Sequence, residues 1–327
     1  MNLLDTKTQT AKIGLASPQE IAAALPHLLG FHPEESLICL WLHDGELLVL
    51  QRADLPADRE ELFVDAFLDA ASNIQANESV IVCVTRDVQM GKRVVRGVVD
   101  RTRSRVRCGL ILSGGRVRSV EAGAQWRWVS VHDRQHAARI FGSRADGRPI
   151  RRTRREVVSE VDFDHAMQWA PPGGTDVDVA HLSEVLARAD FAGHQVRLLL
   201  RDGAIGVSGR DLIMWWGSRV AARKRHELLE ALLVGLRSTP PGHGAHLACA
   251  VAATAWLCGD GVRANAALAR CLDEDPVNAM GRMLESAMGA AVPPVAFAQM
   301  LGDVGPEVVG ANQAVVDSLE RCGYSPR

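Results

Sequence analysis

The chain has 327 residues, 47% apolar and 23% charged, which is enough for two domains of ordinary size and excludes a largely disordered protein. The longest apolar stretch, residues 245–258, is too short to span a bilayer, and the first ten residues lack a signal-peptide pattern. Net charge is −2, and the seven cysteines show no C-x-x-C spacing, so the expectation is a cytoplasmic protein with reduced thiols and no membrane partner.

In chain order, Ser17-Pro18-Gln19-Glu20 is a capping box with proline at the first helical position, predicting a helix over 18–29 that stops at Gly30. Residues 36–42 and 46–51 are apolar runs joined by His43-Asp44-Gly45, a strong hairpin signal. Helical spacing over 57–75, a β-branched run over 79–84, helical spacing over 88–104 and a hairpin of 106–112 with 117–120 follow. Alternating strands and helices imply an α/β fold, a mixed sheet with crossover helices and edge hairpins. The second hairpin strand and the strands at Ser79 and Val106 are expected as parallel neighbours. Pro171-Pro172-Gly173-Gly174 reads as a linker, and 180–189, 221–236 and 245 onward read as helices. The expected division is an α/β domain over 1–160, a linker over 161–179 and an all-helical domain over 180–327.

Leu28-Leu29-Gly30-Phe31-His32-Pro33-Glu34-Glu35-Ser36, with Arg52-Ala53-Asp54-Leu55-Pro56 after the apolar run, resembles the opening of an actinobacterial and actinobacteriophage family known as domain of unknown function 4192. Gly147-Arg148-Pro149-Ile150 and the pattern from Trp256-Leu257-Cys258-Gly259-Asp260-Gly261 to Asp275-Pro276 are similar too. The resemblance implies relatives but no activity. Relatives carry cysteines before the Gly-Arg-Pro motif where this chain has His132 and His136, so a thiol-dependent function does not carry over. The turn between the helices ending near Cys258 and Asp273 also resembles a tetratricopeptide-like helical hairpin, too short for a solenoid groove.

Three places can carry chemistry. The antiparallel hairpin sets the start of its first strand beside the end of its second, and a parallel strand at Ser79 adds its carboxyl end there, where open α/β sheets bind ligands. That gathers His32, Glu34, Glu35, Ser36, Arg52, Asp54, Thr85, Arg86 and Asp87 as ligand-binding candidates, with His32 as a general base if the site is catalytic. Turns, caps and ion pairs at strand ends account for the same residues.

Charge is −9 over 1–85, +14 over 86–155 and −7 over the remainder. The cations run from Lys92, Arg93, Arg96, Arg101, Arg103, Arg105 and Arg107 through Arg116 and Arg118 to Arg151, Arg152, Arg154 and Arg155. Arg93, Arg96, Arg101, Arg103, Arg105 and Arg107 could track phosphates, with Trp126 and Trp128 stacking on bases. Alternatively the cations pair with the acidic flanks or form a solvated face, and the tryptophans belong to the core. Finally, His132 and His136 have the spacing of an H-x-x-x-H metal pair, with His165 or Asp146 as a possible third ligand.

No Walker loop, G-x-G-x-x-G or G-x-S-x-G elbow is present, which disfavours nucleotide hydrolysis, dinucleotide oxidoreduction and serine hydrolysis. The leading expectation is a non-catalytic binding or regulatory protein with a protein or polar small-molecule partner and no cofactor. Nucleic-acid binding through the arginine block and metal-dependent hydrolysis stay open as alternatives.

Overall fold

The computed structural model describes residues 17–129, 150–167 and 179–322. They divide into two compact units: one holds the described residues up to Arg154 together with Gly289–Pro293, and the other the rest from Arg155 onward.

The first unit is a six-stranded mixed sheet with helices. Helix α1 (Pro18–Leu29) begins as its sequence dictates. The Ser17 hydroxyl accepts the Glu20 N–H at 3.3 Å, the Glu20 carboxylate accepts the Ser17 N–H, and Gly30 closes the helix with a φ of 78°. Strands β1 (Ser36–His43) and β2 (Glu46–Asp54) form the Asp-Gly hairpin, with Asp44 and Gly45 both in the left-handed region that such a turn demands. Helix α2 (Glu60–Asp69), strand β3 (Glu78–Val84), helix α3 (Val88–Arg101), strands β4 (Arg105–Ser113), β5 (Arg116–Ser119) and the two-residue β6 (Arg127–Trp128) complete the unit.

Strand order is β2-β1-β3-β4-β5-β6. This corrects the expectation that β2, β3 and β4 are parallel neighbours: β3 and β4 are, but β1 lies between β2 and β3 and is antiparallel to both. The reason is in the side chains. Seven consecutive residues of β1, Ser36 to Leu42, are buried, which requires cover on both faces and a neighbour on each edge, whereas β2 is only half-buried and serves as the edge.

One face of the sheet carries Leu37, Cys39, Trp41, Ile81 and Cys83 against Val64 and Phe67 of α2 and Val94, Val95 and Val98 of α3. Gly109 permits the close approach of α3, because a Cβ there would sit 2.8 Å from a Val95 methyl. Helix α1 packs against β5.

The second unit is helical: α4 (Arg154–Val158) with a 3-10 turn at Ser159–Val161, then α5 (Val179–Arg188), α6 (His194–Ala204), α7 (Val207–Arg219), α8 (Ala222–Arg237), α9 (Ala245–Leu257), α10 (Gly261–Glu274), α11 (Ala279–Gly289), α12 (Pro294–Gly302) and α13 (Gln313–Arg321). Helix α9 is its axis. Every residue from Leu247 to Leu257 is buried, and α7, α8, α10 and α12 pack around it. Helices α6 and α7 carry no clear sequence signal, since Gly203, Gly209 and Gly217 lie within them and Gly206 between them. Tertiary packing explains the glycines: a Cβ on Gly209 would overlap the Gly203 carbonyl.

Buried arginines tie the helices together. Arg263 bonds Asp260 and Glu160, and although burial opposes its charge, those carboxylates raise its pKa above the ordinary value. Arg225 has carbonyl partners instead: Gly217 at 2.6 Å, Val220 at 2.9 Å and Leu257 at 3.0 Å, at the C-terminal ends of α7 and α9. Among the described residues no helix is long and apolar enough to cross a membrane.

Candidate functional site

The register of β1 sets Ser36 opposite both Asp54 of β2 and Val84 of β3, so the entry to β1 lies between the carboxyl ends of two strands running the other way. The structure brings Glu35, Ser36, Arg52, Asp54, Thr85, Arg86 and Asp87 together here, by bonds that can be followed one at a time. Glu35 is in the left-handed region at φ 35°, a conformation that costs a β-carbon-bearing residue about 1–3 kcal/mol unless its surroundings hold it there. They do: Thr85 Oγ1 donates to one carboxylate oxygen at 2.7 Å, the Arg86 N–H to the other at 2.9 Å, and the Glu35 carbonyl accepts the Leu55 N–H at 2.8 Å.

Thr85 Oγ1 in turn accepts the Asp87 N–H at 3.1 Å. Asp87 caps α3 by accepting the Gln89 and Met90 N–H groups at 2.9 Å each. Arg52, with a side chain only 10% exposed, donates to Ser36 Oγ at 2.7 Å, pairs with Asp54 and lies 5.7 Å from the centre of the Phe31 ring. Its Nε is buried without a partner among the described residues.

These bonds occupy the groups that a ligand would need. Both Glu35 oxygens, the Asp87 carboxylate, Ser36 and Thr85 hold the turn into β1 and the start of α3. His32, Glu34 and the Arg86 side chain are exposed and make no side-chain hydrogen bond or ion pair among the described residues. The adjacent thiols are core groups: burial pushes Cys83 up to about 12 and Cys39 well above its ordinary value. Among the described residues no three His, Cys, Asp or Glu side chains are close enough to hold a metal. His132, His136 and Asp146 lie outside the described residues, and His165 packs edge-on against Phe163.

The basic block divides along α3. On the flank where Gly97 meets Val64 of α2, Arg93 makes a two-pronged contact with Glu60 at 2.7 and 2.8 Å, and Arg101 reaches Asp65 at 2.9 Å. The bond from Arg93 holds the Glu60 carboxyl below its usual value. On β4, Arg107 pairs with Glu78 at 2.7 Å. Three of the predicted phosphate-tracking arginines are therefore neutralised by the acidic part of the same unit.

The other flank differs. Val95 and Val99 of α3 meet Val120 over Gly109 of β4, and Lys92 and Arg96 lie on that side of the helix. Residues Gly109, Ile111 and Ser113 of β4 share the face that α3 covers. The register sets Arg118 opposite Ile111, Arg116 opposite Ser113 and Trp128 opposite Arg116, so all of these point the same way.

There the Arg116 guanidinium lies over the Trp128 ring at 4.2 Å and that of Arg118 over Trp126 at 5.3 Å. Trp128 is 68% exposed and Trp126 half-buried. Lys92, Arg96, Arg103, Arg105, Arg116 and Arg118 have no ion-pair partner among the described residues. Sequence reasoning placed Arg116 and Arg118 in the basic run but missed their stacking on the tryptophans. The signal was available in R-x-R and W-x-W, the period of two that aligns one face of paired strands.

In the helical unit His246 is held by its neighbours. His246 Nδ1 faces Arg210 at 3.3 Å and Asn278 at 3.1 Å, both donors, and burial together with Arg210 pushes its pKa down. The imidazole is thus held neutral with its proton on Nε2.

The chain matches the family model described as "Domain of unknown function (DUF4192)" over residues 18–203 and 195–295. No curated protein and no solved structure matches it.

Proposed function

We propose that this protein, which belongs to the DUF4192 family, is a non-catalytic binding protein whose α/β unit engages nucleic acid through the face formed by β4, β5, β6 and the adjoining flank of α3. One observation carries the reading: Trp128 is 68% exposed beneath Arg116, on a face whose cations find no carboxylate among the described residues. A large aromatic left in water forgoes the stabilisation of burial, and unpaired arginines beside it are the groups that neutralise phosphates and release counterions. The end of the sheet supports catalysis less well, since Glu35, Thr85 and Asp87 are occupied in holding the fold. No cofactor enters this proposal. The same reading places the protein in the cytoplasm of an actinobacterium or its phage, and seven cysteines without a disulfide suit that reducing compartment.

Fluorescence anisotropy with labelled DNA and RNA oligonucleotides tests it. Affinity is expected to fall by at least tenfold between about 50 and about 200 mM salt and to be lost in Arg96→Glu/Arg116→Glu/Arg118→Glu, with the circular dichroism spectrum unchanged. No binding at the lower salt, or binding that the triple variant leaves intact, would overturn the proposal.

A further inference from the structure

We infer that the nucleic acid taken up on this face is single-stranded, with an unpaired base stacking on the open side of the Trp128 ring; this rests on the nucleic-acid reading above. The indole has one face under the Arg116 guanidinium at 4.2 Å and is otherwise mostly exposed, at the outermost strand of the sheet. A base inside a duplex has both faces covered by its neighbours and cannot offer one to an indole. An unpaired base can, and it extends the arginine–tryptophan stack by one layer. Two residues back, Arg118 over Trp126 forms a second, half-buried shelf. Residues i and i+2 of a strand are about 7 Å apart, a separation that two bases on an extended backbone span.

The charges beside the shelves favour the same substrate. Lys92 and Arg96 on the near flank of α3 supply cations without ion-pair partners among the described residues. The far flank of α3 does not: Arg93 and Arg101 are bound to Glu60 and Asp65, so that side is electrically balanced. A duplex lying across α3 would meet these carboxylates, while one strand can stay on the Lys92 and Arg96 side of α3. Nothing in this arrangement reads a base edge, so stacking here tolerates any sequence.

The test measures anisotropy at one low salt concentration with four probes of equal length: oligo-dT, oligo-dA, the dA·dT duplex, and an abasic deoxyribose-phosphate strand with the same backbone charge. Both single strands are expected to bind at least about tenfold tighter than the duplex and the abasic strand. Trp128→Ala is expected to weaken single-strand binding by about 5- to 100-fold and Trp128→Phe by much less, with duplex binding unmoved by either. Equal affinity for all four probes, or indifference to Trp128→Ala, would overturn stacking and leave the nucleic-acid reading standing. No binding to any probe would overturn both.

Discussion

Two sets of arginines, one in each unit, behave in opposite ways. In the helical unit Arg201, Arg210 and Arg263 are buried, each paired with a carboxylate, and Arg225 and Arg270 cap helix carbonyls. In the α/β unit Arg96, Arg103, Arg105 and Arg116 are exposed and have no ion-pair partner among the described residues. Only four of the 37 basic residues are lysines, so the choice of arginine says little by itself. What differs is the dielectric and the partner. A buried guanidinium must be matched or its desolvation is uncompensated, whereas an exposed one without a match is available to an external anion.

The contrast can be broken most directly at Arg263. Its side chain is 3% exposed, as is that of Asp260, so Arg263→Ala should remove a buried cation from beside Asp260 and Glu160 and cost about 3–5 kcal/mol in chemical denaturation. Arg96→Ala should stay within about 0.5 kcal/mol. Similar losses at the two positions would mean that the Arg263 cluster is not a matched charge site. Next in size, Arg116→Ala with Arg118→Ala should lower nucleic-acid affinity about tenfold and flatten the salt slope by one to two, leaving stability unchanged. A stability loss without an affinity loss would move those residues to the structural side.

A third measurement concerns the end of the sheet. Asp87→Ala removes two accepted N–H bonds at the start of α3 and should cost about 1 kcal/mol, while Asp87→Asn should retain most of the cap. Loss of nucleic-acid affinity in Asp87→Asn would show that this end of the sheet takes part in binding.

The smallest effect is on pH. The bond from Arg93 lowers the Glu60 pKa in the folded protein, so the pair contributes stability above the ordinary glutamate pKa and loses it as pH falls through the lower folded value. The small difference in denaturation midpoint between the natural chain and Arg93→Ala should therefore vanish in acid. A difference that persists at the lowest pH would assign the role of Arg93 to packing.

Much of the α/β unit was legible because its signals are local. The capping box at Ser17, the Asp-Gly turn and the β-branched run at Ser79 each act within a few residues, and each forms the element expected of it. The gathering of Glu35, Arg52 and Thr85 was legible too, since it needs only strand directions. The position of β1 between β2 and β3 does not follow from strand directions, although seven buried residues in succession favour a central strand. Helices α6 and α7 were missed because their glycines oppose helix locally and are justified only by close packing.

The sequence by itself determined the main strands and helices of the α/β unit and the surplus of positive charge between residues 86 and 155, because propensity, capping and composition are properties of the chain. Only the tertiary structure decided which cations are consumed. Glu60 and Asp65 lie more than thirty residues from Arg93 and Arg101, and whether a carboxylate reaches a guanidinium depends on which flank of α3 faces α2. The same packing leaves Trp128 in water beneath Arg116, since the two-residue β6 is the last strand of the sheet.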